Sequence, residues 1–161
     1  TISRFRRHVS NDDGAVIALV LVAACATFYP AKDALDNDEI MPPSATLSEV
    51  RDHLSKLCQA LESQDQRGDA AAARWRRGWQ ALRALPDVNE DARRGSRNHL
   101  HGLVTLVLGH LYEMGLVAVD ERQDGNHLYV VTPRFRMMLA EHAAVPLLDI
   151  AREAQAEKVN A

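Results

Sequence analysis

The chain is 161 residues long, with 47% hydrophobic residues, 25% charged residues and a net charge of -3. That length holds one ordinary domain or two very small ones, and the apolar share can fill a core, so a disordered chain is excluded. The acidic balance gives no general attraction for nucleic acid or acidic lipid, and any such contact needs a local basic patch.

Ser3 to Val9 is short and basic, a terminal helix or an arm. Ser10 or Asn11 can cap the next helix, with Asp12 and Asp13 placed favourably against its dipole. That helix, about Asp13 to Tyr29, is apolar nearly all round and belongs at the centre of a fold; Tyr29-Pro30 ends it. Its apolar run from Ala15 is about three residues short of the usual minimum for a bilayer span. A buried core helix and a cytoplasmic protein, with nucleoid association open, are therefore expected. Cys25 and Cys58 both lie in apolar helical patterns and are expected as reduced core thiols, without disulfide or metal spacing.

Lys32 to Ser44 reads as a solvated acidic loop. Asp33, Asp36, Asn37, Asp38 and Glu39 lack the glycine and terminal glutamate of a calcium loop. Ala45 to Val50 is a short strand or turn that feeds a helix, and Thr46-Leu47-Ser48-Glu49 is a capping box. Val50, Leu54, Leu57, Cys58 and Leu61 form that helix's apolar stripe. Glu62 to Asp69 is polar and expected as a loop. Ala70 to Leu85 returns to helix, with Trp75, Trp79, Leu82 and Leu85 on one face. Pro86-Asp87-Val88-Asn89 breaks it.

Asn98 to Pro133 organises the rest. Leu100, Leu103, Val104, Val107, Leu108 and Leu111 recur at helical spacing, and Gly115 stands where a left-handed residue closes the last turn. Val117 and Val119 begin a strand, Gln123-Asp124-Gly125-Asn126 is turn chemistry, and Leu128 to Val131 is the return strand. Pro133 opens another helix, with Phe135, Met138, Leu139 and His142 expected on its inner face. Pro146 interrupts it, and a last short helix follows.

A helix, "MGLV", then a hairpin ending in "TPR" resembles the third helix and wing of a winged-helix domain, and "TLSEVRDHLSKL" is similar to the helix that precedes it in such proteins. The resemblance implies a mainly α fold: a winged helix-turn-helix with an inserted helix and a two-stranded β wing. It is taken as a single domain over 1–161, divisible into N-terminal helices (1–62), a helical insertion (63–97) and the third helix, wing and C-terminal helices (98–161). The insertion departs from the common order, in which the third helix follows the second almost at once.

Charge is uneven along the chain. From Arg74 to Arg97, seven arginines stand against Asp87, Glu90 and Asp91, a local +4, which leaves -7 on the remainder. Such asymmetry suits phosphates or an acidic partner. Arg93, Arg94, Ser96, Arg97, Asn98, His99 and His101 surround the start of the organising helix, where backbone N–H groups and guanidinium groups can hold a phosphate. Arg122 adds a cation in the wing, beside the repelling Asp120, Glu121 and Asp124. Further along, Gly102, Thr105, Gly109 and Tyr112 make a small-residue face that suits close packing, within the chain or against a partner, better than base readout. Trp75 and Trp79 join Gly102, Thr105 and Gly109 as candidate partner contacts, with core packing as their plainer role.

No P-loop, dinucleotide fingerprint or metalloprotease helix is present, and no nucleophile is paired with a base, so neither catalysis nor a cofactor is expected. His99 and His101, two apart on a helix, would point to different sides, which argues against a metal. The overall pattern looks like the accessory subunits of bacterial SMC complexes, the MukE and MksE type, which bind a kleisin and help hold DNA. That resemblance implies a non-catalytic interaction module with a protein partner, kleisin-like or a second copy of itself, double-stranded DNA as a further ligand, and no membrane. The alternative is a stand-alone dimeric DNA-binding regulator, with Arg93 to His101 on phosphates and groove edges.

Overall fold

A helix that is apolar on every side has to be surrounded, and α1 (Asn11–Phe28) is surrounded. In the computed structural model, which describes residues 11–31, 42–87, 99–121, 127–142 and 146–156, the remaining elements wrap it. They are β1 (Ser44–Thr46), α2 (Leu47–Gln66), α3 (Ala70–Arg74), α4 (Arg76–Arg83), α5 (Leu100–Glu113), β2 (Val117–Glu121), β3 (His127–Val131), α6 (Pro133–His142) and α7 (Pro146–Ala156). α2, α4, α5 and α7 all pack on α1. Leu19, Val20, Ala23, Ala24 and Ala26 are fully buried there. One hydrophobic cluster joins residues of α1 to residues of α2, α5, the sheet, α6 and α7. The chain is thus mainly helical with one small antiparallel sheet.

That sheet has three strands, one more than the expected two-stranded wing, in the order β1-β3-β2. Ala45 pairs with Tyr129 and Val119 pairs with Tyr129 from the other side. The short stretch before the capping box is therefore a true strand. It is recruited because Ala45, Val117, Tyr129 and Val131 share the buried face. Thr46 then starts α2. Its hydroxyl accepts from the Glu49 N–H at 3.3 Å while Glu49 Oε2 accepts from the Thr46 N–H at 2.7 Å, the reciprocal box the sequence predicts.

Two expectations fail between residues 62 and 85. Glu62 to Gln66 continues α2 and is not a loop, because its polar residues serve α4: Arg76 donates to Asp65 from Nε at 2.6 Å and Nη2 at 2.5 Å, and Arg83 Nε lies 3.3 Å from Glu62. The stretch predicted as one helix over 70–85 is two. Asp69 caps α3 through the N–H groups of Ala71 and Ala72, and the chain turns at Trp75 before α4 begins. Beyond that turn Gly78 lies against α1, where an added Cβ would stand 2.9 Å from Leu19 Cδ1 and 3.2 Å from Ala15 Cβ. A side chain there would have to displace Leu19 or move α4 outward.

α5 ends in a Schellman arrangement. Gly115, at φ 69°, donates to Tyr112 O, and the Leu116 N–H reaches back to Leu111 O, both at 2.9 Å. The Thr132 N–H then donates to Leu116 O, so the hairpin closes onto the end of α5 just before Pro133 opens α6. Phe135 of α6 is buried edge-on against Phe28, with ring centroids 6.0 Å apart. Met138, expected inside, is 36% exposed, and the His142 side chain lies outside the described residues. So do the 1–10 arm and the acidic stretch over 32–41. Both cysteines are free and buried. No helix among the described residues is long and apolar enough to cross a membrane.

The close approach of α4 to α1 can be tested directly. Gly78→Val should lower unfolding free energy by about 2 kcal/mol through overpacking, and Gly78→Ala by less, read from urea denaturation midpoints.

Candidate nucleic-acid and partner interface

A helix N-terminus binds phosphate only if its first N–H groups are free. At α5 they are not. Leu100 and His101 donate to the carbonyls of Pro86 and Asp87, each at 3.0 Å, Gly102 donates to the His99 ring, and Leu103 donates to His99 O. The residues that break the preceding helix therefore double as the acceptor lid of α5. The N–H groups of Leu100 to Leu103 are thus not open to the phosphate expected at this helix start.

His99 is the cap and not a base-edge contact. Its backbone is extended (φ -155°, ψ 155°), it is only 4% exposed, and Nδ1 accepts the Gly102 N–H at 3.0 Å. That bond assigns the proton of the neutral ring to Nε2, which has no hydrogen-bond partner and is closed to solvent. Because His99 stands outside the helix proper, its ring and that of His101 do not diverge, contrary to the helical expectation. They stack, 6.2 Å apart and 20° from parallel.

His101 is half-buried. Its pKa is lowered, first by burial, then by the Arg51 guanidinium and the His99 ring, so it contributes little positive charge near neutral pH. Arg51 is a residue that sequence reasoning missed, because it comes from α2, 50 positions earlier in the chain. It is itself paired with Asp52 at 3.1 Å. Arg93, Arg94, Ser96, Arg97, Asn98 and Arg122 lie outside the described residues.

The small-residue face divides. Gly102 is buried within the chain. Thr105 is half-buried and its hydroxyl donates to His101 O at 2.8 Å. Gly109 is half-buried with nothing within 4 Å of an added Cβ, so no described residue packs closely there. Tyr112 is 56% exposed one turn on. Trp79 is buried in the core, which leaves Trp75, half-buried, as the indole with surface to offer a partner.

Met114 at the end of α5 and Met137 and Met138 on α6 are also exposed, and Arg134 donates to Met114 O at 3.2 Å. Adjacent methionines at 137–138 were the signal in the sequence for this apolar surface, but helical spacing assigned one of them inward.

Chemistry elsewhere is muted. A cavity of about 320 Å³ between α2, α4 and α5 is lined by Leu54, Cys58, Leu82, Arg83 and Leu100 among others. Burial pushes the Cys58 thiol there up to about 12, and the Cys25 thiol likewise. Both are protonated and poor nucleophiles near neutral pH. Among the described residues no group of three or more His, Cys, Asp or Glu side chains is disposed to hold a metal ion. Comparisons of the chain with protein-family models, with curated proteins and with solved structures each found no match.

If His99 is a structural cap, its replacement acts on stability. His99→Ala should lower unfolding free energy by about 1 kcal/mol, whereas His99→Asn, which can also accept the Gly102 N–H, should lose less than half of that in the same urea titration.

Proposed function

We propose that this chain is a non-catalytic winged-helix interaction module, an accessory subunit of a DNA-handling assembly that engages a protein through the outer face of α5. The observation that carries the reading is the state of α5. Its first four N–H groups are used internally, its capping histidine is buried, and its outward surface at Thr105, Gly109 and Tyr112 is small, open and ends in an exposed aromatic ring. A helix that reads base edges needs Arg, Asn, Gln or Ser on that surface. A protein partner needs shallow relief and an aromatic anchor.

The winged-helix reading is supported by the element order. A capped helix precedes an apolar helix that runs straight into a hairpin, with α3 and α4 as the insertion between them. DNA enters as a secondary ligand, held by side chains alone: Arg51 beside the α5 start, and Arg93, Arg94 and Arg97 in the lead-in. Exposed Asp120 and Glu121 on β2 oppose phosphate on the wing side. The buried, protonated thiols support the non-catalytic part of the reading.

Binding of the purified chain to random duplex DNA, followed by fluorescence anisotropy at low and moderate salt, tests this. The expected result is weak binding, lost in an Arg93/Arg94/Arg97→Ala variant, with a salt slope no steeper than about -3 for three phosphate contacts. In a pull-down with candidate kleisin segments, Tyr112→Glu should abolish capture while leaving the weak DNA binding intact. Tight DNA binding that Tyr112→Glu also destroys would replace this reading with that of a stand-alone regulator.

A further inference from the structure

The sheet has an open edge, and its register says which groups line it. In an antiparallel ladder, successive residues turn their N–H and C=O groups to one neighbouring strand and then to the other. The Val131 N–H donates to Pro43 O on the β1 side at 2.9 Å, so Tyr129, two residues back and opposite Ala45, faces β1 as well. Thr132, which donates to Leu116 O, faces the other way, and so do Val130 and Leu128. Ala118 and Asp120 stand opposite Val130 and Leu128 and therefore make the β2 ladder. Val117, Val119 and Glu121 turn their backbone groups outward. β2 is the edge of the β1-β3-β2 sheet, and no other backbone group among the described residues bonds Val119 or Glu121 from that side. Val117 is buried, which leaves the edge open from Val119 to Glu121.

A bare row of N–H and C=O groups is a template for another strand. Charge decides which strand. Asp120 and Glu121 are both exposed, one on each face of the sheet, and neither carboxylate is hydrogen-bonded or ion-paired among the described residues. A second copy pairing antiparallel about Val119 would bring the two Asp120 carboxylates to diagonal positions on one face, about 7–8 Å apart, where like charges oppose the pairing. A cationic strand reverses the sign. A lysine or arginine opposite Asp120 makes a favourable cross-strand pair, and a β-branched residue opposite Val119 packs beside its half-buried side chain.

We propose that the Val119–Glu121 edge docks an extended segment of a partner protein, bearing lysine or arginine at alternate positions, as a fourth strand. The site shares no residue with the Thr105, Gly109 and Tyr112 face of α5, so it stands apart from the function proposed above.

Amide hydrogen exchange read residue by residue tests both the edge and its occupant. In the free chain the amides of Ala118 and Asp120 should be protected, and those of Val119 and Glu121 should exchange at least about tenfold faster. The probe is a short acetylated and amidated peptide of alternating lysine and threonine, added in excess at low salt. It should slow exchange at Val119 and Glu121 by about tenfold or more, leave Ala118 and Asp120 unchanged, and lose its effect as salt is raised. The same peptide with glutamate in place of lysine should do nothing, and Asp120→Lys/Glu121→Lys should exchange the two preferences. Val119→Pro removes only an outward donor, so the hairpin should persist while Glu121 gains no protection from the peptide. If that variant does not fold, N-methylation of alternate peptide amides blocks the same bonds from the other side and takes its place. No protection of Val119 by the lysine peptide, or equal protection by both peptides, overturns the proposal. So does protection of Val119 in the free chain that grows with protein concentration, which would make a second copy the occupant.

Discussion

Everything in this molecule follows from one unfavourable object, a rod with no polar side. Over most of its length α1 offers only Val, Ile, Leu, Ala, Cys, Thr and Phe, and each large side chain buried along it contributes about 1.5–3 kcal/mol. A two-helix sandwich covers one stripe of such a rod and leaves the others wet. Four helices are needed to close it, and the chain supplies α2, α4, α5 and α7. The segment between α2 and α5 is thus part of what closes the core. α4 packs on α1, and Gly78 lets it come close beside Ala15 and Leu19.

Closing a core around a rod brings helix ends inward, where loose carbonyls and N–H groups are expensive. Several of these ends are answered from within the chain. Arg152 caps the carbonyl of Tyr29, Thr46 and Glu49 cap α2, His99 with the Pro86 and Asp87 carbonyls cap α5, and the Gly115 turn closes its far end. The same economy uses up the N–H groups of Leu100, His101, Gly102 and Leu103, which a phosphate at the start of α5 would need. What remains for function is side-chain surface.

Much of this was legible in order of residues. The apolar rod, the capping box, the α5 stripe, the Gly115 stop and the hairpin all announce themselves locally, because each depends on neighbours within about four positions. What the sequence concealed depends on distant partners. β1 reads only as a short strand or turn until Tyr129 pairs with it. Glu62 to Gln66 looks like a loop until Arg76 and Arg83 arrive to pair with Asp65 and Glu62. His99 reads as a ligand for the outside because nothing in its vicinity predicts that Gly102 will claim its ring. Arg51 could not be connected with His101 at all.

The arginine cluster shows how far a count along the chain differs from a count in space. Between Arg74 and Arg97 the sequence sets seven cations against three carboxylates. Folding brings Asp65 and Glu62 from α2 against Arg76 and Arg83, so two of those seven cations meet carboxylates that the count along the chain leaves out. Arg76 and Arg83 are consumed in fastening α4 to α2, and Arg77 has interactions of its own. The cations nearest to the start of α5 in sequence, Arg93, Arg94 and Arg97, are therefore the ones on which the proposed DNA contact rests. On the proposed reading, three guanidinium groups and one paired Arg51 would bind duplex DNA weakly on an acidic chain. A surface of that strength suits a subunit whose affinity is set by a protein partner and whose DNA contact is added by proximity within the assembly.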